Sequence, residues 1–293
     1  KGFASPPPVG GRISIGRVVE RNGMRLPEKD DQFTLTSQVQ NRDGWLLHPL
    51  DETLRQQAGG KLRSLPVQLL FNDPSLNLRA DFNLFDRTTG RPLCVGNGES
   101  CRRSGQDGIE TLPCPGPQGC RFAEGQCKPY ARFNVRIGEE DETGTFVLRT
   151  TSFNTIRTLA ARLQYFQAVS GGVLACLPLE LKLRGKSTTQ SHRAPIFYVD
   201  LVIRSGMTLE EAITEARRID GVRRDAGFDQ AALDEAARQG FANGAFEELD
   251  EDVPAVVEEF FPDQQEPPLK PSAAKTTSLT GRLEQKVAAA GTG

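Results

Sequence analysis

Histidine is almost missing from this chain: 293 residues hold two, His48 and His192. That scarcity removes most of the usual candidates for a general base or a metal-bound imidazole. No apolar run approaches the roughly 20 residues that a membrane-spanning helix needs, so no membrane partner is expected. The N-terminal Lys1–Pro8 carries no apolar secretion-signal core. With no Met at its head, the sequence is read as starting inside a longer frame, and the protein is expected to be cytoplasmic. Aromatic residues make up 7% and Trp occurs once, against 37% hydrophobic and 25% charged. This composition suits a globular chain with an adequate but not rich core. The net charge of −2 excludes a bulk electrostatic footprint for nucleic acid.

The near-neutral total is a cancellation. Lys and Arg are absent from Gln239 to Leu269, a stretch holding nine acids between Glu247 and Glu266. Residues 246–293 carry a net −6, leaving about +4 on residues 1–245, and ten bases against five acids fall within Lys128–Arg193. A mildly basic body suits phosphate or an acidic protein surface; a solvated face of helix and sheet accounts for the same pattern.

Several enzyme signatures are absent. Gly185-Lys186-Ser187 resembles the end of a phosphate-binding loop, but Glu180 stands where that loop needs its first glycine. Ser191-His192 lacks a G-x-S-x-G elbow, and His48 before Pro49 reads as a loop residue. No H-E-x-x-H or H-x-E pattern supports a catalytic metal.

Periodicity organises the remainder. Residues 1–11 form a Pro/Gly-rich flexible lead. Strands are expected over Arg12–Glu20 and Phe33–Thr36 around a polar turn at Arg21–Asp31, with a short helix in Leu47–Gln57 that begins at Asp51. Alternation predicts strands at Leu76–Leu84, Ala131–Ile137, Leu177–Leu183 and Phe197–Ile203. Thr145–Arg149 reads as the antiparallel partner of 131–137 across the acidic turn Gly138–Gly144. Ser152–Val169 takes helical spacing, capped by Ser152 or Asn154 and stopped by Gly171-Gly172. Thr208 and Glu211 form a capping box for the next helix. Asp229 caps one more helix, which Gly240 ends. Residues 246–293 read as a disordered acidic tail, within which Val253–Phe261 has the look of a short partner-binding motif. The expected architecture is α+β: a mainly antiparallel sheet with packed helices over 12–245, a Cys-rich zinc loop inserted at 94–127, and the tail.

Five of the six cysteines are spaced Cys94-x6-Cys101-x12-Cys114-x5-Cys120-x6-Cys127. Thiols concentrated in a Gly/Pro-rich segment without periodicity need a reason. Four thiolates around one tetrahedral zinc would order a loop that cannot build its own core. Disulfides and unliganded thiols are the alternatives. The favoured ligands are Cys94, Cys114, Cys120 and Cys127, with Cys101 as the alternate because it sits in a polar arm, Glu99–Arg103. An all-sulfur site is closed, so the Zn2+ is expected to be structural rather than catalytic. Cys176, beside the leucine strand, reads as core. Two further stretches combine cations, hydroxyls and amides: Arg149, Thr150, Asn154 and Arg157 at a strand-to-helix junction, and Arg184, Lys186, Ser187, Thr188 and Arg193 leaving a strand. Such groups suit phosphate or a protein partner, and equally suit caps and turns.

The segments 94–101, Pro113-Cys114-Pro115, 126–133, 149–157 and 183–191 resemble proteins of phages and integrative conjugative elements that often bear the label "hydrolase or metal-binding protein". They are similar to the recombination directionality factors of large serine integrases. The likeness spans roughly 12–245, and the Cys segment and Arg149-Thr150-Thr151 are its most specific parts. It implies a non-catalytic DNA-recombination factor that binds a serine integrase and turns it towards excision, with DNA contact indirect or non-specific. It maps the family's zinc loop onto Cys94, Cys114, Cys120 and Cys127. A nucleic-acid-binding accessory protein of mobile-element recombination or replication is the first alternative, and a metallohydrolase the second.

Overall fold

Strands with one buried face leave a period of two in the sequence, and those strands form the middle of this molecule. The computed structural model describes residues 9–21, 24–41, 44–105, 107–138, 144–187, 195–242 and 253–261. In chain order its strands are β1 (Val9–Arg21), β2 (Met24–Asn41), β3 (Gly44–Leu47), β4 (Ser64–Val67), β5 (Leu78–Phe85), β6 (Pro92–Gly96), β7 (Ser100–Gly105), β8 (Gly108–Pro113), β9 (Lys128–Val135), β10 (Thr145–Thr150), β11 (Leu179–Ser187) and β12 (Pro195–Ile203). Its helices are α1 (Pro49–Gln57), α2 (Pro74–Asn77), α3 (Gly116–Gly119), α4 (Phe153–Ser170), α5 (Leu209–Asp225), α6 (Gln230–Ala242) and α7 (Val253–Phe260). Among the described residues no helix is long and apolar enough to cross a membrane.

A nine-stranded sheet has the order β3-β2-β1-β10-β9-β5-β6-β7-β8, and a three-stranded sheet the order β12-β11-β4. Among the described residues every strand pairing is antiparallel except β1 with β10. The architecture is therefore α+β with a mixed, mainly antiparallel sheet. One core draws on both sheets, α4 and α5, and Phe33, Leu65, Phe133, Leu163, Leu181 and Ala212 are all fully buried in it. Each large side chain of this kind contributes about 1.5–3 kcal/mol by leaving water.

α4 has the boundaries its sequence announces. The Ser152 hydroxyl accepts a bond from Thr155 N at 3.3 Å, and Gly171 closes the helix in the left-handed region at φ +70°. Leu159, Leu163 and Phe166 turn one face into the core. The Thr208–Glu211 capping box opens α5. Asp229 accepts from Ala232 N at 2.9 Å where α6 begins. α6 runs through Gly240 to Ala242, because Phe241 beyond the glycine packs edge-on against Phe71, with ring centroids 6.3 Å apart.

Other expectations are corrected. Most of the predicted polar turn 21–31 is strand: β1 and β2 stay paired as far as Arg21 opposite Met24. Backbone pairing across a hairpin needs no apolar alternation in the sequence. His48 lies in the connection between β3 and α1, as expected, and there it caps α1, its Nδ1 accepting from Leu50 N at 3.2 Å; burial lowers its pKa. α1 accordingly begins at Pro49 rather than Asp51. Asp51 is buried and accepts from Leu35 N at 2.8 Å, tying α1 to β2. The strand expected from Leu76 starts only at Leu78. Before it, Asp73 and Pro74 open α2, and buried Asn77 holds Phe71 through both its amide oxygen and its amide nitrogen. The Cys segment is not a loop but three antiparallel strands, β6, β7 and β8, at the edge of the large sheet, followed by the single turn α3. The expectation of disorder from 246 onward fails at Val253–Phe260, which is helical. The remainder of that tail (246–252 and 262–293), residues 1–8 of the lead, and residues 139–143 of the acidic turn lie outside the described residues.

Candidate functional site

Five cysteines from the one segment 94–127 line one small cavity. Cys94 lies on β6, Cys101 on β7, Cys114 directly after β8, Cys120 at the end of α3 and Cys127 just before β9. Asn97 makes the return from β6 to β7: its side-chain oxygen accepts from both Glu99 N and Ser100 N at 2.9 Å. Cys114 N then donates to Glu99 O at 2.9 Å, bringing the end of β8 over that turn. Glu124 and Gly125, with φ +46° and +79°, reverse the chain so that Cys127 returns to the cavity. Cys101 is 3% exposed. It is therefore not the solvated arm residue expected from its polar neighbours, and its thiol stands with the other four.

The thiols interact with one another. Burial, then a hydrogen bond with Cys94, pushes Cys101 up to about 11. Burial, then Cys120, does the same for Cys127, also to about 11. Arg103 lies against this group, its guanidinium 3.9 Å above the Phe122 ring. Burial works against its charge, but a hydrogen bond to Cys94 and the nearby Cys101 and Cys120 raise its pKa overall. Gly96 is required by the packing: a Cβ there would lie 2.7 Å from Cys101 Cβ and 2.8 Å from Cys114 Sγ.

The donor set of the cavity suits a soft divalent ion in its chemistry. All five candidate donors are sulfur, which zinc accepts at about 2.3 Å. Arg103 stands where an outer partner would offset the excess negative charge of four thiolates. As placed, no group of three or more His, Cys, Asp or Glu among the described residues could hold a metal ion.

The expected partner-binding residues are not on one loop surface. Arg149 and Thr150 are buried strand residues of β10, 9% and 3% exposed. Thr150 Oγ1 accepts from Ser152 N at 3.1 Å. Arg149 stands in register with Arg132 on β9, and Arg132 with Arg79 on β5, so one face of the sheet carries a row of three arginines. Asp81 lies beside this row; burial raises its pKa, and Arg79 and Arg132 oppose that rise. Asn154 and Arg157 are in the first turns of α4, half-buried and exposed respectively. Arg184, Lys186 and Ser187 are exposed on the outer half of β11. Thr188 and Arg193 lie outside the described residues, as does His192.

A residue not singled out from sequence connects two of these groups. Arg162 of α4 donates to Asp200 Oδ1 at 3.0 Å while Arg184 donates to Oδ2 at 3.3 Å. The helix that carries Arg157 is thereby fastened to the strand that carries Lys186. Arg103 is another such residue, and Arg102-Arg103 directly after Cys101 is its signal in the sequence.

The sequence profile of the family described as Gp3-like, recombination directionality factor-like, matches residues 10–204. That span contains the whole thiol cavity and the exposed cations of α4 and β11, and ends before α5. No curated protein matches the chain, and no solved structure does.

Proposed function

The chain belongs to the Gp3-like, recombination directionality factor-like family, and from that membership we propose that it binds a serine integrase and redirects it from integration to excision. The profile match over 10–204 is the observation that carries this reading. The chemistry of strand exchange stays with the integrase, and this chain is non-catalytic. Its work is differential binding: it associates more tightly with the integrase arrangement that synapses the excision sites and so shifts that equilibrium. Moving a two-state equilibrium from 1:99 to 99:1 takes a preference of about 10⁴-fold, about 5.5 kcal/mol. A protein interface can supply that without any sequence-reading contact to DNA. The site of action is the cytoplasm, where the element's DNA lies.

The thiol cavity, in this reading, holds one structural zinc through Cys94, Cys114, Cys120 and Cys127, with Cys101 the alternate ligand. The ion supplies charge and cross-linking to the β6–β8 arm, and no step of recombination runs through it.

The test is a recombination assay with the integrase of the same element and two substrate pairs. Adding this protein is expected to switch on recombination between the excision sites and suppress it between the integration sites, and it should co-purify with the integrase. An integrase whose site preference is unchanged by a stoichiometric excess of the protein overturns the reading. The exposed Arg157, Arg184 and Lys186 favour one second reading, an accessory protein that touches DNA phosphates directly. That reading requires the protein alone to shift duplex DNA with a steep salt dependence.

A further inference from the structure

The acidic helix α7 is seated on a surface made entirely by the family-matched part of the chain. Val256 and Phe260 are fully buried there, in a cluster with Phe85 and Tyr130. The Phe260 ring meets Phe85 edge-on at 4.8 Å and Tyr130 at 6.3 Å. Cations ring the contact: Lys128 Nζ donates to Phe260 O at 3.0 Å and lies 5.2 Å from its ring, and Arg87 stands 5.1 Å over Phe261. Glu259 accepts from Thr151 N at 2.9 Å. A Cβ on Gly90 would come within 2.7 Å of Val253 Cγ1, so the surface is shaped to the helix lying on it. Phe85, Arg87, Gly90, Lys128, Tyr130 and Thr151 all fall within 10–204, whereas α7 lies beyond it and is joined to α6 through residues 243–252.

We propose that this surface is a docking site for an acidic amphipathic helix of a partner protein, and that α7 is its tethered occupant. The apolar floor with a rim of Lys and Arg selects such a helix: apolar residues at the spacing of Val253, Val256 and Phe260, and acids on the flank. α7 has that pattern, and its tether gives it a high effective concentration at the site. A partner helix gains the surface only by displacing α7, so the C-terminal segment sets a threshold for binding. The proposal does not depend on the partner being an integrase.

The test uses the full chain with Val256→Asp and Phe260→Asp, titrated with a fluorescent peptide of residues 251–262. The variant is expected to keep its cooperative unfolding and bind the peptide at least tenfold more tightly than the unsubstituted chain. Lys128→Glu added to the variant should weaken that binding tenfold or more, and a peptide carrying Phe260→Ala should bind neither chain. Loss of cooperative unfolding in the variant, equal affinity of the two chains, or failure of the peptide to saturate the variant overturns the proposal. As a second measurement, a protease site placed within 245–250 of the otherwise unsubstituted chain is cleaved. The released α7 segment is then expected to exchange with labelled peptide, and retention without exchange makes it a fixed part of the core and ends the proposal.

Discussion

Gly96 shows how one missing side chain organises the thiol cavity. It sits where β6 faces β7, and a methyl group there would press on Cys101 and Cys114 at once. Gly96→Ala is therefore expected to destabilise the protein by about 1–3 kcal/mol, the usual cost of forcing a group into a packed interior. It should also speed the reaction of Cys101 and Cys114 with a thiol reagent. Gly221, inside α5 with nothing within 4 Å of its added Cβ, is the matched control. Gly221→Ala should be neutral or stabilise by about 0.5–1 kcal/mol through helix propensity. Urea unfolding midpoints with labelling rates check both, and a Gly96→Ala protein that unfolds and labels like its parent contradicts the packing account. Single residues also mark what reasoning from sequence reaches. The five cysteines of 94–127 announce a common site by density alone. The row Arg79, Arg132 and Arg149 is invisible, because its members become neighbours only through the register of three strands.

Among the elements, legibility follows burial of one face. β9, β11 and β12 alternate because each presses one side into the core, and their period is plain in the sequence; β10 is buried along its whole length and is legible only as the partner of β9 across the acidic turn. β8 is exposed along nearly its whole length, and the distal half of the β1–β2 ribbon follows the backbone ladder rather than an apolar pattern; neither leaves a period to find. α7 escaped for a different reason: it is eight residues long, too short to hold a helix without the surface beneath it, so its apolar spacing read as a loose motif. α4 carries its own start and stop signals, which makes it the element on which local rules can be tested. Ser152→Ala removes the side-chain acceptor for Thr155 N, and Gly171→Ala places a Cβ at φ +70°. Each should cost about 1 kcal/mol. The two sites are some 27 Å apart along an 18-residue helix, so the double variant should lose about 2 kcal/mol, the sum of the singles. Chemical denaturation of the four proteins checks this, and marked non-additivity would show that the helix ends communicate through the core.

At the scale of the molecule, two kinds of stabilisation divide the large sheet. Its centre rests on the apolar core shared with the small sheet, α4 and α5. Its β6–β7–β8 edge buries few apolar side chains besides Val95 and Cys101, so in the proposed reading it rests on the metal that the thiols would hold. With one zinc bound per reduced chain, a strong chelator is expected to raise amide exchange across β7 and β8 while leaving β9, β10 and α4 protected. Hydrogen exchange with metal analysis reads this out, and either metal-free protein with full protection of the arm or uniform loss of protection everywhere goes against it. The single parallel pairing, β1 with β10, sets Ile13 beside Leu148, more than 130 residues later in the chain. At ribosomal speeds that interval is on the order of ten seconds. Throughout it the β1–β2 hairpin waits with the β1 edge that faces β10 in the finished sheet still unpaired, and unpaired edges recruit other chains. Birth of this protein is thus its most exposed moment: the centre of the sheet closes only after the more than 130 residues between Ile13 and Leu148 have been made.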